Sequence, residues 1–462
     1  MNETNSSVSS SWPAMTAGLS TIPSPPRPRI AIVGAGAAGL GAASGLAGAA
    51  DAVLFEASAR AGGHAMTVDV DYDGTLLPVD VGFIVYNRVN YPRLTRLFED
   101  LGIATRPSSM SFSVHRLEDG FEWAWRGKRY PGSWLRIAAN GRRRRLMGEV
   151  LRFNGLATRA LAAGETAPEE TLGTFLETHG FAPEFERCYI LPLVSAIWSM
   201  PLETARRFPA ARLFEFFGSH RLLNIFALPW RTVEGGSRRY VSRLLARARP
   251  QLRLNCPVLH VRRLGDGVEI TTAAGGTELF DAVIFACHPH RTLAVLADAT
   301  VRERALLGAF RYEPNSAVLH RDPALMPQRT GHWASWNAIC APPSPGAQDG
   351  AVQVSYSMNS LQGIDRRRPL FVTLNPLREP DPRRVFATFE HEHFQYDHEA
   401  SAAQARLGEI AGAGRAWHCG AWTGFGFHED ALSSGLDAAR ASLAATTRAD
   451  AEPASMASDA AA

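Results

Sequence analysis

The chain has 462 residues, 46% hydrophobic and 20% charged, a globular composition long enough for two or three domains and a large core. Lys+Arg 48 against Asp+Glu 45 leaves a formal charge of +3, too balanced to call for a nucleic-acid partner. The five cysteines, Cys188, Cys256, Cys287, Cys340 and Cys419, lie far apart with no C-x-x-C, which suits a reducing compartment and neither a zinc site nor a disulfide framework.

Residues 1–28 are rich in Ser, Thr and Pro and lack the basic and apolar regions of a secretory signal. They are expected to form a disordered tail, as are residues 446–462. No run of 18 apolar residues occurs, so the expectation is a cytoplasmic globular protein without a spanning helix. "RIAIV" at 29–33 has the pattern of a buried strand, and "AAGLGAASGLA" from residue 37 that of a closely packed helix. Between them lies Gly34-x-Gly36-x-x-Gly39. The first glycine permits a tight turn, the second lets backbone approach a pyrophosphate, and the third lets the helix lie close to the sheet. Ala37 and Ala38 open the helix, whose N-terminus offers free N–H groups to phosphates. "AVLFE" at 52–56 reads as the next strand and ends in Glu56, placed to accept hydrogen bonds from an adenosine ribose. Strand, glycine turn, helix, strand and acid in this order form a dinucleotide-binding unit.

Further along, residues 134–160 mix Arg142, Arg143, Arg144 and Arg145 with Leu146, Val150, Leu151 and Phe153. Such a helix suits either an anionic membrane surface or an ordinary solvated face. "RLFEFFGSHRLLNIFALPW" at 212–230 can line a long apolar cavity or pack a core. "LNCPVLHVRR", "GVEI" and "DAVIFACHPH" within 254–290 read as a hairpin and a returning strand, and "APPSPGAQDG" at 341–350 as a surface loop. The cluster His391, His393 and His398 in "HEHFQYDH" matches no H-E-x-x-H, and no metal is expected. His288 and His290 are weak catalytic candidates. Stronger ones sit in "GFHED", where His428 or Glu429 can act as acid or base and the other can orient it. Helix capping by Asp430 is the competing account of that turn.

The run Glu56-x-x-x-Arg60-x-Gly62-Gly63-His64 resembles the E-x-x-x-R-x-G-G-R pattern of the flavin amine oxidase and phytoene desaturase superfamily, with His64 where the family repeats arginine. "PVDVGFIVYN" at 78–87 resembles the strand that follows in that family, and "CGAWTGFGFHEDALSSGLDAA" at 419–439 its C-terminal FAD segment, except that Trp422 stands where an acidic residue is frequent. The resemblance implies an α/β fold of amine-oxidase type. A discontinuous Rossmann-type FAD domain (29–100, 235–295 and 410–445) would be interleaved with an α+β substrate domain (101–234 and 296–409). It implies noncovalent FAD held by Ala57, Arg60, Gly62, Gly63 and His64, in addition to the glycine turn and Glu56. Asp80, Gly82 and Phe83 are then expected near the flavin, Val258 at the adenine, and Gly420, Asp430, Ala431 and Leu432 at the C-terminal segment. Glu429 or Asp430 would replace the acidic contact missing at Trp422.

Segments outside this domain, including "LPLVSAIWSM" (191–200), "WRTVEGGSRRYV" (230–241) and "GFHEDALSSG" (426–435), resemble a bacterial NAD/FAD-binding branch of the superfamily. That branch is associated with cyclopropane-fatty-acid-synthase-like methyltransferases and furan fatty acid formation. It implies dehydrogenation of a modified acyl chain of a phospholipid, a lipid methyltransferase partner, and contact with the inner face of the membrane. "CHPHR" at 287–291 and "HEHFQYD" at 391–397 depart from the branch. An acyl double-bond isomerase, an amine oxidase and a noncatalytic flavin-binding partner therefore stay open.

Overall fold

The computed structural model describes residues 27–125, 139–164, 166–223, 228–343 and 350–449. Strand β1 (Arg29–Val33) is followed by helix α1 (Ala37–Leu46) and strand β2 (Asp51–Phe55). These strands join three others in a five-stranded sheet, ordered Gln251–Arg253, β2, β1, Ala282–Phe285 and Ala416–His418. Every pairing is parallel. A parallel sheet is covered on both faces, which is why β1 is an unbroken apolar run with Ile30, Ala31 and Ile32 fully buried.

The small residues of α1 let it meet the C-terminal helix His428–Ala449 backbone to backbone. A Cβ on Gly435 would lie 2.0 Å from the Ala38 carbonyl oxygen, and one on Gly41 would lie 2.7 Å from that of Leu432. Gly39 packs in the same way on the turn, where a Cβ would come within 1.8 Å of the Gly34 oxygen.

A seven-stranded sheet forms the second body. Its order is Val385–Gln395, Arg311–His320, Phe371–Leu374, Gly350–Ser357, Trp336–Pro343, Phe112–Arg116 and Glu122–Trp125. Helices between Gly141 and Ser219 share a core with it, in which Phe153, Phe175, Phe185 and Phe214 join Leu319, Val354 and Tyr356. No helix among the described residues is long and apolar enough to cross a membrane.

Several local expectations change. "PVDVGFIVYN" is not one strand: after β3 (Thr67–Tyr72), strand β4 (Thr75–Asp80) ends at Asp80. The Phe83 N–H donates to the His64 carbonyl at 2.7 Å, and a Cβ on Gly82 would lie 2.2 Å from that oxygen, so the chain turns inward there. The hairpin expected in 254–290 is a three-stranded antiparallel sheet, Val258–Arg263, Val268–Thr272 and Thr277–Phe280. A small sheet of Tyr86–Asn87, Trp230–Val233 and Thr105–Pro107 crosses the expected boundaries at 100 and 234. The C-terminal helix runs to Ala449 and takes the first residues of the expected tail. The rest of that tail, residues 1–26, 134–138, 224–227 and 344–349 lie outside the described residues.

Gly435→Ala should lower stability by about 1–3 kcal/mol or more, because the added methyl meets a backbone carbonyl that cannot move without shifting α1. Gly148→Ala, on an exposed helix with no atom within 4 Å of the new Cβ, is the neutral comparison in urea denaturation.

Candidate active site

A cavity of about 1020 Å³ runs from the glycine turn to the face of the seven-stranded sheet. Gly34 has φ +106°, and a Cβ there would lie 2.7 Å from the Ala286 oxygen, so glycine is required. Gly36 opens straight into the cavity, with nothing within 4 Å of a Cβ, and no side chain caps α1. The Glu56 carboxylate accepts from the Ala35 N–H at 2.9 Å and from the Ser58 N–H and hydroxyl at 2.9 and 2.6 Å, fixing the turn. Gly63 approaches so closely that a Cβ would lie 3.0 Å from the Gly36 Cα.

Of the residues singled out in the sequence, Gly34, Gly36, Ala37, Ala38, Glu56, Ala57, Gly63, His64, Gly82, Phe83, Val258, Gly420, His428 and Ala431 all line this one cavity. Arg60, Gly62, Asp80 and Leu432 stand behind its wall. Arg60 donates to the Gly63 carbonyl at 2.9 Å, and the Gly62 N–H donates to that of Ala35 at 2.8 Å, so both brace the loop. Asp80 is 1% exposed and accepts from Thr67, Ser237 and Gln362, which makes it a tie between segments rather than a flavin contact. Burial pushes its carboxyl up to about 6. Leu432 packs on α1 at Gly41.

The "GFHED" turn divides into separate tasks. Glu429 accepts from the Arg93 and Leu94 N–H groups at 2.8 and 2.9 Å. It therefore caps helix α2 (Pro92–Asp100) and leaves the cavity, contrary to the acid or base role expected of it. Asp430 accepts from the Phe427 N–H at 2.9 Å, as the capping account requires, and burial pushes it up to about 6. Of the three titratable residues of the turn, His428 lines the cavity. Its ring stacks on Phe83, with centroids 4.0 Å apart and 13° between planes, and its Nε2 lies 2.5 Å from the Tyr240 hydroxyl. Burial lowers its pKa to about 3, so the imidazole is neutral. Trp422 is buried against Phe310.

Sequence reasoning singled out His64 and the pair His391 and His393 separately and did not join them into one wall. His391 and His393 alternate along the edge strand and face His64, with ring centroids 5.1 and 5.6 Å away. The His64 Nε2, His391 Nε2 and His393 Nδ1 atoms are buried without partners among the described residues, and all three residues line the cavity. Beside them, His288, His290 and Glu392 bring three potential ligand atoms within 4.8 Å of one another, although the sequence carried no metal expectation. Arg291 holds the other carboxylate oxygen of Glu392 at 3.0 Å. The signal was the i, i+2 spacing on a strand, legible only once 385–395 is known to be one.

The stretch 212–230 serves both roles foreseen for it. Leu213, Phe214 and Phe217 are core, whereas Phe216, Leu222 and Trp230 line the cavity. The arginine cluster is not a free basic stripe: Arg142 pairs with Asp119 and Glu184, and Arg143 donates to the Glu122 carbonyl.

The open glycine cradle, the uncapped helix start and the unpartnered His64 Nε2 fit a dinucleotide whose far end reaches an apolar chamber. Fold and site thus define a flavin-dependent oxidoreductase with FAD as its cofactor. The model of the flavin containing amine oxidoreductase family matches residues 37–318, more than half of the sequence, and the chain belongs to that family. Among solved structures it is similar to putrescine oxidase bound to putrescine, at 16% identity and TM-score 0.63 over 90% of this chain and 98% of that one. Cyclohexylamine oxidase from Brevibacterium oxydans IH-35A is similar at 15% identity and TM-score 0.64, covering 90% and 99%. A fatty acid isomerase from P. acnes that produces CLA is similar at 16% identity and TM-score 0.62, covering 89% and 97%. No curated protein matches the sequence.

Gly36→Val should give a folded protein without FAD, since the new side chain fits the protein but fills the cradle. Flavin absorbance lost with an unchanged circular dichroism spectrum is the expected result. Acid should also destabilise the fold. His220, His320, His393 and His418 are held at about 4, and His428 at about 3, by burial. Below pH 6.5 the unfolded chain takes up protons that these groups refuse, so stability falls as pH drops, on the order of 1–2 kcal/mol per histidine at pH 5. Asp80 and Asp430, raised to about 6, act in the opposite sense but only below that pH. The thermal midpoint should therefore decline from pH 7 to pH 5.

Proposed function

We propose that the enzyme dehydrogenates a fatty acyl chain of a lipid, with a hydride passing from carbon to the flavin. The observation that carries this reading is the charge of the cavity wall. Its acidic lining residues, Glu56 and Glu392, both lie at the dinucleotide end, beside the glycine turn and His288. The other end is built of Tyr189, Leu193, Trp198, Phe216, Trp336 and Tyr356 and carries no carboxylate among the described residues. An amine substrate is a cation at neutral pH, and its charge would be buried there without a partner. An acyl chain gains about 0.8 kcal/mol for every CH₂ that enters.

Bound FAD supplies the hydride acceptor. The aromatic wall holds the chain and excludes water. The N-terminus of the C-terminal helix, at His428 and Ala431, opens on the same cavity and offers its positive end to negative charge developing there. His428 is the side chain placed to receive the proton. Its weak basicity suits a proton leaving from a carbon beside a developing cation, and Tyr240 fixes its orientation. A lipid methyltransferase partner and contact with an anionic membrane belong to the same proposal. The exposed Arg145 and Leu151 of the helix Gly141–Ala163 support the membrane contact.

Under anaerobic conditions a fatty acyl lipid should bleach the flavin, and polyamines should not. A shifted double bond without bleaching would indicate isomerisation, and bleaching by amines alone would overturn the acyl reading. The bleaching rate should be independent of pH between about 5 and 8, because His428 stays neutral throughout that range. His428→Ala should slow bleaching on the order of 10²-fold with FAD retained. Glu429→Gln should mainly lower the thermal midpoint.

A further inference from the structure

Four side chains that carry a permanent charge line the cavity, and three are compensated within the protein. Glu56 is held by backbone N–H groups and Ser58, and Glu392 pairs with Arg291. The fourth is Arg221, whose guanidinium meets no acidic group and donates to no carbonyl among the described residues. It follows the helix Ala210–Ser219 and is exposed, whereas its neighbours His220 and Leu222 reach into the cavity wall beside Trp198 and Phe216. An exposed residue that also lines a cavity marks its rim. The His220 Nδ1, which lies 3.0 Å from the Phe216 carbonyl, is turned to the backbone and adds no charge.

We propose that Arg221 is an anion subsite at the cavity rim, taking the oxyanion head of the acyl substrate while the tail occupies the apolar interior. This rests on the acyl-chain reading and adds to it the chemistry of the head. A guanidinium pairs with a carboxylate or a phosphodiester through two parallel N–H donors, and an apolar chain with one anionic end matches an apolar cavity with one unpaired cation at its mouth. Arg221 also sits at φ +54°, just past a helix end, where glycine is the less strained residue. Replacing it with glycine thus removes the charge and relieves the backbone.

The test measures binding of oleate, methyl oleate and phosphatidylglycerol vesicles to the FAD-loaded enzyme by flavin fluorescence. Wild type should bind an anionic ligand more tightly than the methyl ester, on the order of fivefold for a solvent-exposed ion pair. Preference for oleate identifies a free carboxylate as the head, and preference for the vesicles a phosphodiester; either supports the subsite. R221G and R221A should lose the preference and R221K should keep part of it, with R221G melting no lower than wild type. The subsite is overturned if wild type shows no preference for an anion, or if R221A and R221G keep it. Methyl oleate binding together with that outcome leaves the acyl reading standing. If none of the three ligands binds, the acyl reading fails and the subsite with it.

Discussion

Two helices from opposite ends of the chain cross with no side chain between their backbones. Gly435 lies over the Ala38 carbonyl, Gly41 under that of Leu432, and Gly45 against the Ala439 methyl. This contact fixes where the C-terminal helix begins, and its N-terminus opens on the same cavity as the N-terminus of α1. Two positive helix ends then face one chamber. Glu429 extends the arrangement by capping α2, so a third helix is tied to the same origin. The residues holding the cofactor are therefore mostly small, since what they contribute is backbone.

Charge is handled with the same economy. Histidines at the cavity, His64, His393 and His428, are kept neutral by burial, so they offer hydrogen bonds without attracting ions. The acidic lining residues are neutralised by N–H groups or by Arg291. What remains, among the described residues, is an apolar chamber with a single unpaired cation, Arg221, at its rim. That pattern favours a long apolar substrate with an anionic end and disfavours a buried cation.

The Rossmann-type unit was legible because each glycine answers a local steric demand visible in one window of sequence. Gly34, Gly36, Gly39 and Glu56 fall where spacing alone places them. Asp80 and Glu429 were misplaced for the opposite reason. Their partners, Ser237, Gln362, Arg93 and Leu94, lie up to several hundred residues away, and a carboxylate beside a cofactor motif looks the same whether it faces a ligand or caps a helix. The histidine wall escaped notice because it joins residue 64, in a turn, to residues 391 and 393 on a distant strand. Arg221 carries no motif at all; only its lack of a side-chain partner among the described residues, a property of the fold, sets it apart.

On the proposed reading, an acyl chain lies in this cavity with its head at Arg221 and its middle beside the flavin. Stearic acids carrying a nitroxide at different carbons test it directly through quenching of flavin fluorescence. The account predicts strong quenching by a mid-chain nitroxide, weak quenching by one near the carboxylate, and loss of this dependence in R221A. Equal quenching from every position, or none from any, would contradict it.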